Sequence, residues 1–229
     1  MSNASLTTAS NAGYPPFREN RFVHWLCAAM AAVILLAGIH PDKVFDYFLE
    51  NATAFAFLAV LVCAYRVLPL SELSYSLILV YLSIHEWGAH YKYSDVPLGE
   101  WLKPLLHTNR NMYDRIAHFS FGFMMSYPIQ EILIRKVGVQ GRWRYVLPVE
   151  GILSFSAIYE IMEAGAAMVL TPQRGEEFVG MQGDMWDSQE DMLMAGVGAV
   201  VAMILLAALR RRRALREAKS LADLVESAR

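Results

Sequence analysis

Six apolar runs, each close to the length of a membrane-crossing helix, limit what this chain can fold into more than any other feature. They cover Phe22–Ile39, Ala52–Val67, Leu73–His90, Tyr113–Leu133, Tyr145–Leu170 and Ser188–Leu209. A helix needs about 20 residues to cross roughly 30 Å of hydrocarbon. Within hydrocarbon the backbone N–H and C=O groups must bond inside the protein, which a helix achieves within one segment. The expected fold is therefore all-α, a polytopic membrane bundle of six transmembrane helices.

Composition agrees. Of 229 residues, 55% are hydrophobic and only 18% charged, and the mean hydropathy is +0.30. That is too apolar and too sparsely charged for an ordinary soluble domain. No Pro/Gly/Ser-rich linker divides the apolar part. The expected organisation is a disordered cytoplasmic N-terminus over 1–20, a transmembrane domain over 21–210 and a basic cytoplasmic tail over 211–229. The N-terminal stretch lacks the basic segment beside a short apolar core that marks a cleaved signal. Cys27 and Cys63 both fall inside apolar runs, so they read as small buried hydrophobes rather than a disulfide or metal pair. The surroundings are membrane lipid, and no nucleic-acid partner is expected.

Lysine and arginine set the orientation. With the N-terminus inside, 14 of the 20 fall on cytoplasmic segments, including Arg135, Lys136, Arg142, Arg144 and the block Arg210–Arg213. Lys43, Lys92, Lys103, Arg110, Arg115 and Arg174 remain outside. The positive-inside rule thus puts both termini in the cytoplasm of a bacterial inner membrane, in keeping with an even number of spans. The tail beyond Arg210 reads either as a stop-transfer anchor with a solvated extension or as an amphipathic helix on anionic lipid.

On this topology, ten misplaced polar residues converge. His85, Glu86 and His90 end the third span, and Asp114 and His118 begin the fourth. Glu160 and Glu163 lie near the outer end of the fifth, and Asp184, Asp187 and Asp191 lead the sixth. All face the periplasm or cell exterior. Ionisable groups within a membrane are costly and by default functional. Glu86/His90, Asp114/His118 and Asp187/Asp191 are i, i+4 pairs and Glu160/Glu163 an i, i+3 pair, so each pair shares one helix face. Four helices presenting paired oxygen and nitrogen ligands resemble the carboxylate metal sites of helical bundles. Such donors suit a divalent metal (Zn, Fe or Mn). The expected ligands are His85, His90, Asp114, His118, Glu163, Asp184, Asp187 and Asp191, with Glu86 and Glu160 as catalytic bases. Simpler roles compete: Asp114 and Asp187 can cap helices, and Asp114 can pair with Arg110 or Arg115. Trp87, Tyr91, Tyr93, Trp101, Tyr113, Tyr159 and Trp186 form an interfacial aromatic belt, of which Tyr93, Tyr159 and Trp186 can line a pocket. Gly88, Gly180 and Gly183 permit close backbone approach, and 182–187 reads as a turn opening the last helix.

The strings HEWGAHYKYSDVPLG (85–99), RNMYDRIAHFSFGF (110–123), YEIMEAG (159–165) and GMQGDMWDSQEDM (180–192) resemble the YjdF-like family of bacterial inner-membrane proteins. The likeness spans about residues 20–210 and is most specific in the last string. It implies a polytopic inner-membrane protein and supplies no activity.

Two readings follow from the residues. The first is a metal-dependent hydrolase acting at the outer leaflet on a lipid or lipid-linked substrate, with Glu86 or Glu160 as base. The second is an ion or small-molecule transporter, or a metal-binding membrane protein without hydrolytic activity. Against transport, the charges gather on one side and no inverted repeat is evident. A buried ion network that only fixes the helices is a third possibility.

Overall fold

A computed structural model describes residues 14–171, 175 and 182–227. Seven α-helices and no strand are found among them: α1 (Arg21–Ala37), α2 (Val44–Ala64), α3 (Glu72–His90), α4 (Pro97–Leu106), α5 (Tyr113–Ile132), α6 (Trp143–Val169) and α7 (Asp187–Ser227). A 3-10 turn, Phe17–Glu19, precedes α1, and a π-helical turn, Leu133–Val137, follows α5. Three helices are long and apolar enough to cross a membrane: α2, α6 and α7 over Asp187–Ser220. The apolar α1 is shorter. The polar residues on α3 and α5, including Ser74, Ser83, Glu86, Asp114, Arg115, Ser120 and Gln130, make those helices less apolar.

Helix starts follow local chemistry. The Asn20 side chain accepts from Val23 N at 3.1 Å to cap α1, and Ser71 Oγ accepts from Ser74 N at 3.2 Å to cap α3. Such caps satisfy N–H groups that have no partner within the helix. Pro97 opens α4, where its missing N–H costs nothing.

The central helix is α5, which packs on α3, α6 and α7, while α3 in turn carries α1 and α2. The α5–α7 seam is the tightest. A Cβ on Gly122 would fall on the Ala195 carbonyl oxygen, and one on Gly198 would meet the Phe119 carbonyl oxygen. Ala195 and Ala199 are completely buried there. Small residues let helix backbones approach closely, the usual device where lipid supplies no hydrophobic drive between helices.

At the end opposite the expected outer site, Glu131 anchors the α2–α3 turn. It accepts from Ser71 Oγ at 2.7 Å, Ser74 Oγ at 2.5 Å and Arg135 Nη1 at 2.7 Å. Tyr14 Oη also donates to Glu131, at 3.1 Å, and Tyr65 Oη donates to Pro15 O at 3.1 Å. Residues 14–20 are therefore held against the bundle, whereas the sequence suggested a disordered segment through residue 20. Residues 1–13 lie outside the described residues, as do Arg174 and Gly180.

Further differences from expectation have local causes. α2 begins at Val44, not Ala52, drawing Asp46, Glu50 and Asn51 into its buried face. α4 was not anticipated, although Leu98, Trp101, Leu105 and Leu106 repeat at helical spacing. Cys27 and Cys63 are free and exposed on the outer faces of their helices, not buried. α7 continues without a break through the basic residues to Ser227.

Candidate functional site

The C-terminal ends of α3 and α6 meet the N-terminal ends of α5 and α7. Tyr113 Oη donates to Ile84 O at 2.8 Å, joining the start of α5 to the end of α3. Ahead of α5, Asn111 is fully buried. Its Nδ2 donates to Val96 O at 3.0 Å and to Glu100 Oε1 at 2.8 Å, and its Oδ1 accepts from Tyr113 N at 3.1 Å. A Cβ on Gly99 would collide with this amide, so glycine is required there. Gln182 clasps the Asn111 backbone, accepting from its N–H at 2.8 Å and donating to its C=O at 3.3 Å. Trp186 N then donates to Asp184 Oδ1 at 2.9 Å, forming the expected turn into α7.

Arg115 is the electrostatic centre. It is buried, and its guanidinium lies 2.7 Å from Asp187 Oδ1, 2.5 Å from Asp191 Oδ1, 3.0 Å from Glu190 Oε2 and 3.3 Å from Asp184 Oδ2. Arg110 also pairs with Asp187, and lies 3.8 Å from Asp184. The planar fork of arginine suits several carboxylates at once. Asp184 and Asp187, expected as metal ligands, are thus held by arginines. Arg110 and Arg115, expected as partners for Asp114, pair instead with acids of α7.

The Asp191 oxygen that contacts Arg115 also lies near His118. His118 Nε2 lies 3.5 Å from Asp114 Oδ1, 3.7 Å from Glu160 Oε1 and 3.9 Å from Asp191 Oδ1. Asp114, His118 and Asp191 each offer a ligand atom, all within 4.8 Å of one another. Ligands bound at about 2.0–2.2 Å sit roughly 3–4 Å apart, and the two separations from His118, 3.5 Å to Asp114 and 3.9 Å to Asp191, lie in that range. Glu160 is buried, and its Oε1 has no hydrogen-bond partner.

A cavity of about 500 Å³ opens beside this cluster. Its polar end is lined by Glu50, His85, Tyr93, Asp114, His118, Tyr159, Glu163 and Gln182. His85 Nδ1 is 2.6 Å from Tyr93 Oη, while its buried Nε2 has no partner. Glu163 joins this lining but not the three-ligand group. Two expected residues sit elsewhere. Glu86 Oε2 accepts from Tyr47 Oη at 2.9 Å, and His90 Nδ1 lies 2.7 Å from Ala37 O. Both reach toward α1 and α2, and neither lines the cavity. Trp186, offered as a pocket residue, is exposed on the surface instead.

Sequence reasoning missed Glu50 and the centrality of Arg115. Glu50 is buried and accepts from Tyr159 Oη at 3.0 Å, linking α2 to α6 at the polar end of the cavity. Its signal was present: Asp46 and Glu50 are four residues apart and precede an apolar run, which a helix begun earlier would have joined to the site.

Together these features define an integral membrane protein of helical-bundle type with a buried acid–histidine cluster. The chain belongs to the family described as "Predicted membrane protein (DUF2238)", whose model matches residues 22–212. It is similar to the inner membrane protein YjdF of Escherichia coli (strain K12), at 33% identity over 179 residues, covering 78% of this chain and 85% of that protein. These matches support a multi-pass inner-membrane location. No solved structure matches.

Proposed function

We propose that the protein is a metal-dependent hydrolase of a lipid or lipid-linked substrate. The observation that carries this reading is the Asp114–His118–Asp191 group, of which Asp114 and His118 line the polar end of a largely apolar cavity. One nitrogen and two carboxylate donors suit Zn, Fe or Mn. A bound ion there supplies Lewis acidity and lowers the pKa of water. Glu160 acts as general base. It takes a proton from water, the hydroxyl oxygen adds to the carbonyl carbon of an ester or amide, and the proton passes to the departing oxygen or nitrogen. Glu86 is not assigned this role, because it accepts from Tyr47 toward α2, whereas Glu160 Oε1 lies 3.7 Å from His118. Arg115 holds Asp191 in position through their 2.5 Å contact. His85, which lines the cavity, is suited to orient the head group.

The topology in this proposal has six spans, α1, α2, α3, α5, α6 and α7, with both termini cytoplasmic and the cluster facing the periplasm. The distribution of lysine and arginine supports it. A reporter fused after Arg229 is expected to read cytoplasmic, and one inserted between Gly99 and Leu106 periplasmic. The reverse pattern would put the cluster on the wrong side.

Ion passage is less well supported, because the cavity continues into an apolar lining that includes Phe57, Leu61, Met125 and Ile129. Glu160→Gln tests the hydrolase reading. Lipid turnover is expected to fall by about 10²–10⁴, the usual contribution of a general base, with metal content unchanged. Equal turnover in the two proteins would remove Glu160 from the chemistry. Absence of turnover by the wild type across ester- and amide-linked lipids, with metal bound, would leave a metal-binding protein without hydrolytic activity.

A further inference from the structure

The apolar part of the cavity extends well away from Asp114 and His118. From His118 to Ile132, a separation of fourteen residues along α5 and a rise of about 21 Å, the helix supplies lining residues. Half of the hydrocarbon layer is about 15 Å deep, so the slot reaches through one leaflet. Its volume of about 500 Å³ lies within the ~300–1,000 Å³ of small-ligand sites. Its side opening is identifiable: among the lining residues, Val60 on α2 and Phe155, Ile158 and Met162 on α6 are also exposed. α2 and α6 flank the slot without a packed seam, and they are bridged at its polar end by Tyr159 and Glu50. Both are among the three helices apolar enough to span the bilayer, so this mouth faces lipid.

We infer that the slot takes one acyl chain of a membrane lipid, entering sideways between α2 and α6, and that the lipid carries an uncharged or amine-bearing head. The head-group assignment comes from the charges at the polar end. Among the described lining residues, Glu50, Asp114 and Glu163 carry carboxylates and Lys92 carries the one ammonium, which is 2.7 Å from Asp95. Arg110 and Arg115 are turned to the acids of α7 and do not line the cavity. An anionic head would meet carboxylates, whereas an uncharged or protonated amine head would not. Chain binding stands independently of the hydrolase reading. Only the fate of the bound lipid rests on it.

Photo-crosslinking of the full chain in phosphatidylcholine nanodiscs tests this. The probe is a monoacylglycerol with a diazirine near the end of its acyl chain. Labelling is expected on the inner lining, at Phe57, Leu61, Met125 or Ile129. Ala54→Phe, which fills the slot, is expected to reduce it roughly tenfold or more, the scale of an altered apolar pocket. Ile158→Trp, at the exposed mouth, is expected to reduce it as well and stands in if Ala54→Phe does not fold. Labelling that stays on outward-facing residues such as Leu35 and Val169, or that is unchanged in both variants, overturns the slot. A lysophosphatidic acid probe that labels the slot as well as the monoacylglycerol overturns the head-group assignment. Asp191→Asn separates the two proposals, because Asp191 belongs to the metal group but does not line the slot, so the variant is expected to retain labelling while losing metal. Slot labelling in a wild type that binds no metal contradicts the hydrolase and leaves the acyl slot standing.

Discussion

Arg115→Ala is expected to destabilise the protein by about 3–5 kcal/mol, the cost of removing one partner from a buried ion pair. Asp187 and Asp191 are both buried and both lie within 2.7 Å of the Arg115 guanidinium. Without it, two carboxylates stay inside the bundle with Arg110 as the remaining cation, and Arg110 contacts Asp187 but not Asp191. Thermal unfolding of the detergent-purified protein checks this as a large drop in melting temperature. Arg115→Lys is expected to recover only part of the loss, since an ammonium cannot present the guanidinium fork to several acids. Adding Asp187→Asn and Asp191→Asn to Arg115→Ala is expected to restore stability in part, because the uncompensated charges are removed. A melting temperature for Arg115→Ala equal to wild type would mean that the α7 acids do not depend on it.

The second large effect is expected at the α5–α7 seam. Gly122→Ala puts a methyl group against the Ala195 carbonyl, where backbone rather than a flexible side chain must yield. Overpacking of this kind costs about 1–3 kcal/mol. Gly151→Ala on α6 is the control: its Cβ comes no closer than 3.6 Å to the Ile129 side chain. Replacing that helical glycine is expected to be neutral or stabilising by up to about 1 kcal/mol. Because α5 carries Asp114 and His118 and α7 carries Asp191, widening the seam also separates the ligand atoms. Gly122→Ala is therefore expected to weaken metal binding without touching a ligand. Equal stability of Gly122→Ala and Gly151→Ala would contradict close packing at this seam.

The helical architecture was legible because apolar runs of near-spanning length leave the backbone little choice. The family resemblance was legible in four short strings, the last of which holds the Gln182–Asp187 turn. Pairing within the site was less so. The i, i+4 spacing put Asp114 beside His118 correctly, but spacing within one helix says nothing about which neighbour it meets. Hence Asp187 appeared as a ligand, although arginines from the α4–α5 turn and from α5 itself claim it. Glu86 and His90 share a face, yet α1 and α2 provide Ala37 O and Tyr47 Oη as partners, and the sequence gives no sign of that docking. Glu50 was lost to a boundary: starting α2 at Ala52 placed it in a loop. α4 was lost because ten residues are too few for a search tuned to membrane spans.

The proposed chemistry depends on an ion at Asp114, His118 and Asp191. Elemental analysis of the purified full chain, run beside Asp114→Asn, His118→Ala and Glu86→Gln, is the direct measurement. Stoichiometric Zn, Fe or Mn is expected in the wild type and in Glu86→Gln, with loss of the metal from folded Asp114→Asn and His118→Ala. A wild type that carries no metal and takes up none of these ions, or variants that retain it in full, would contradict the metal site.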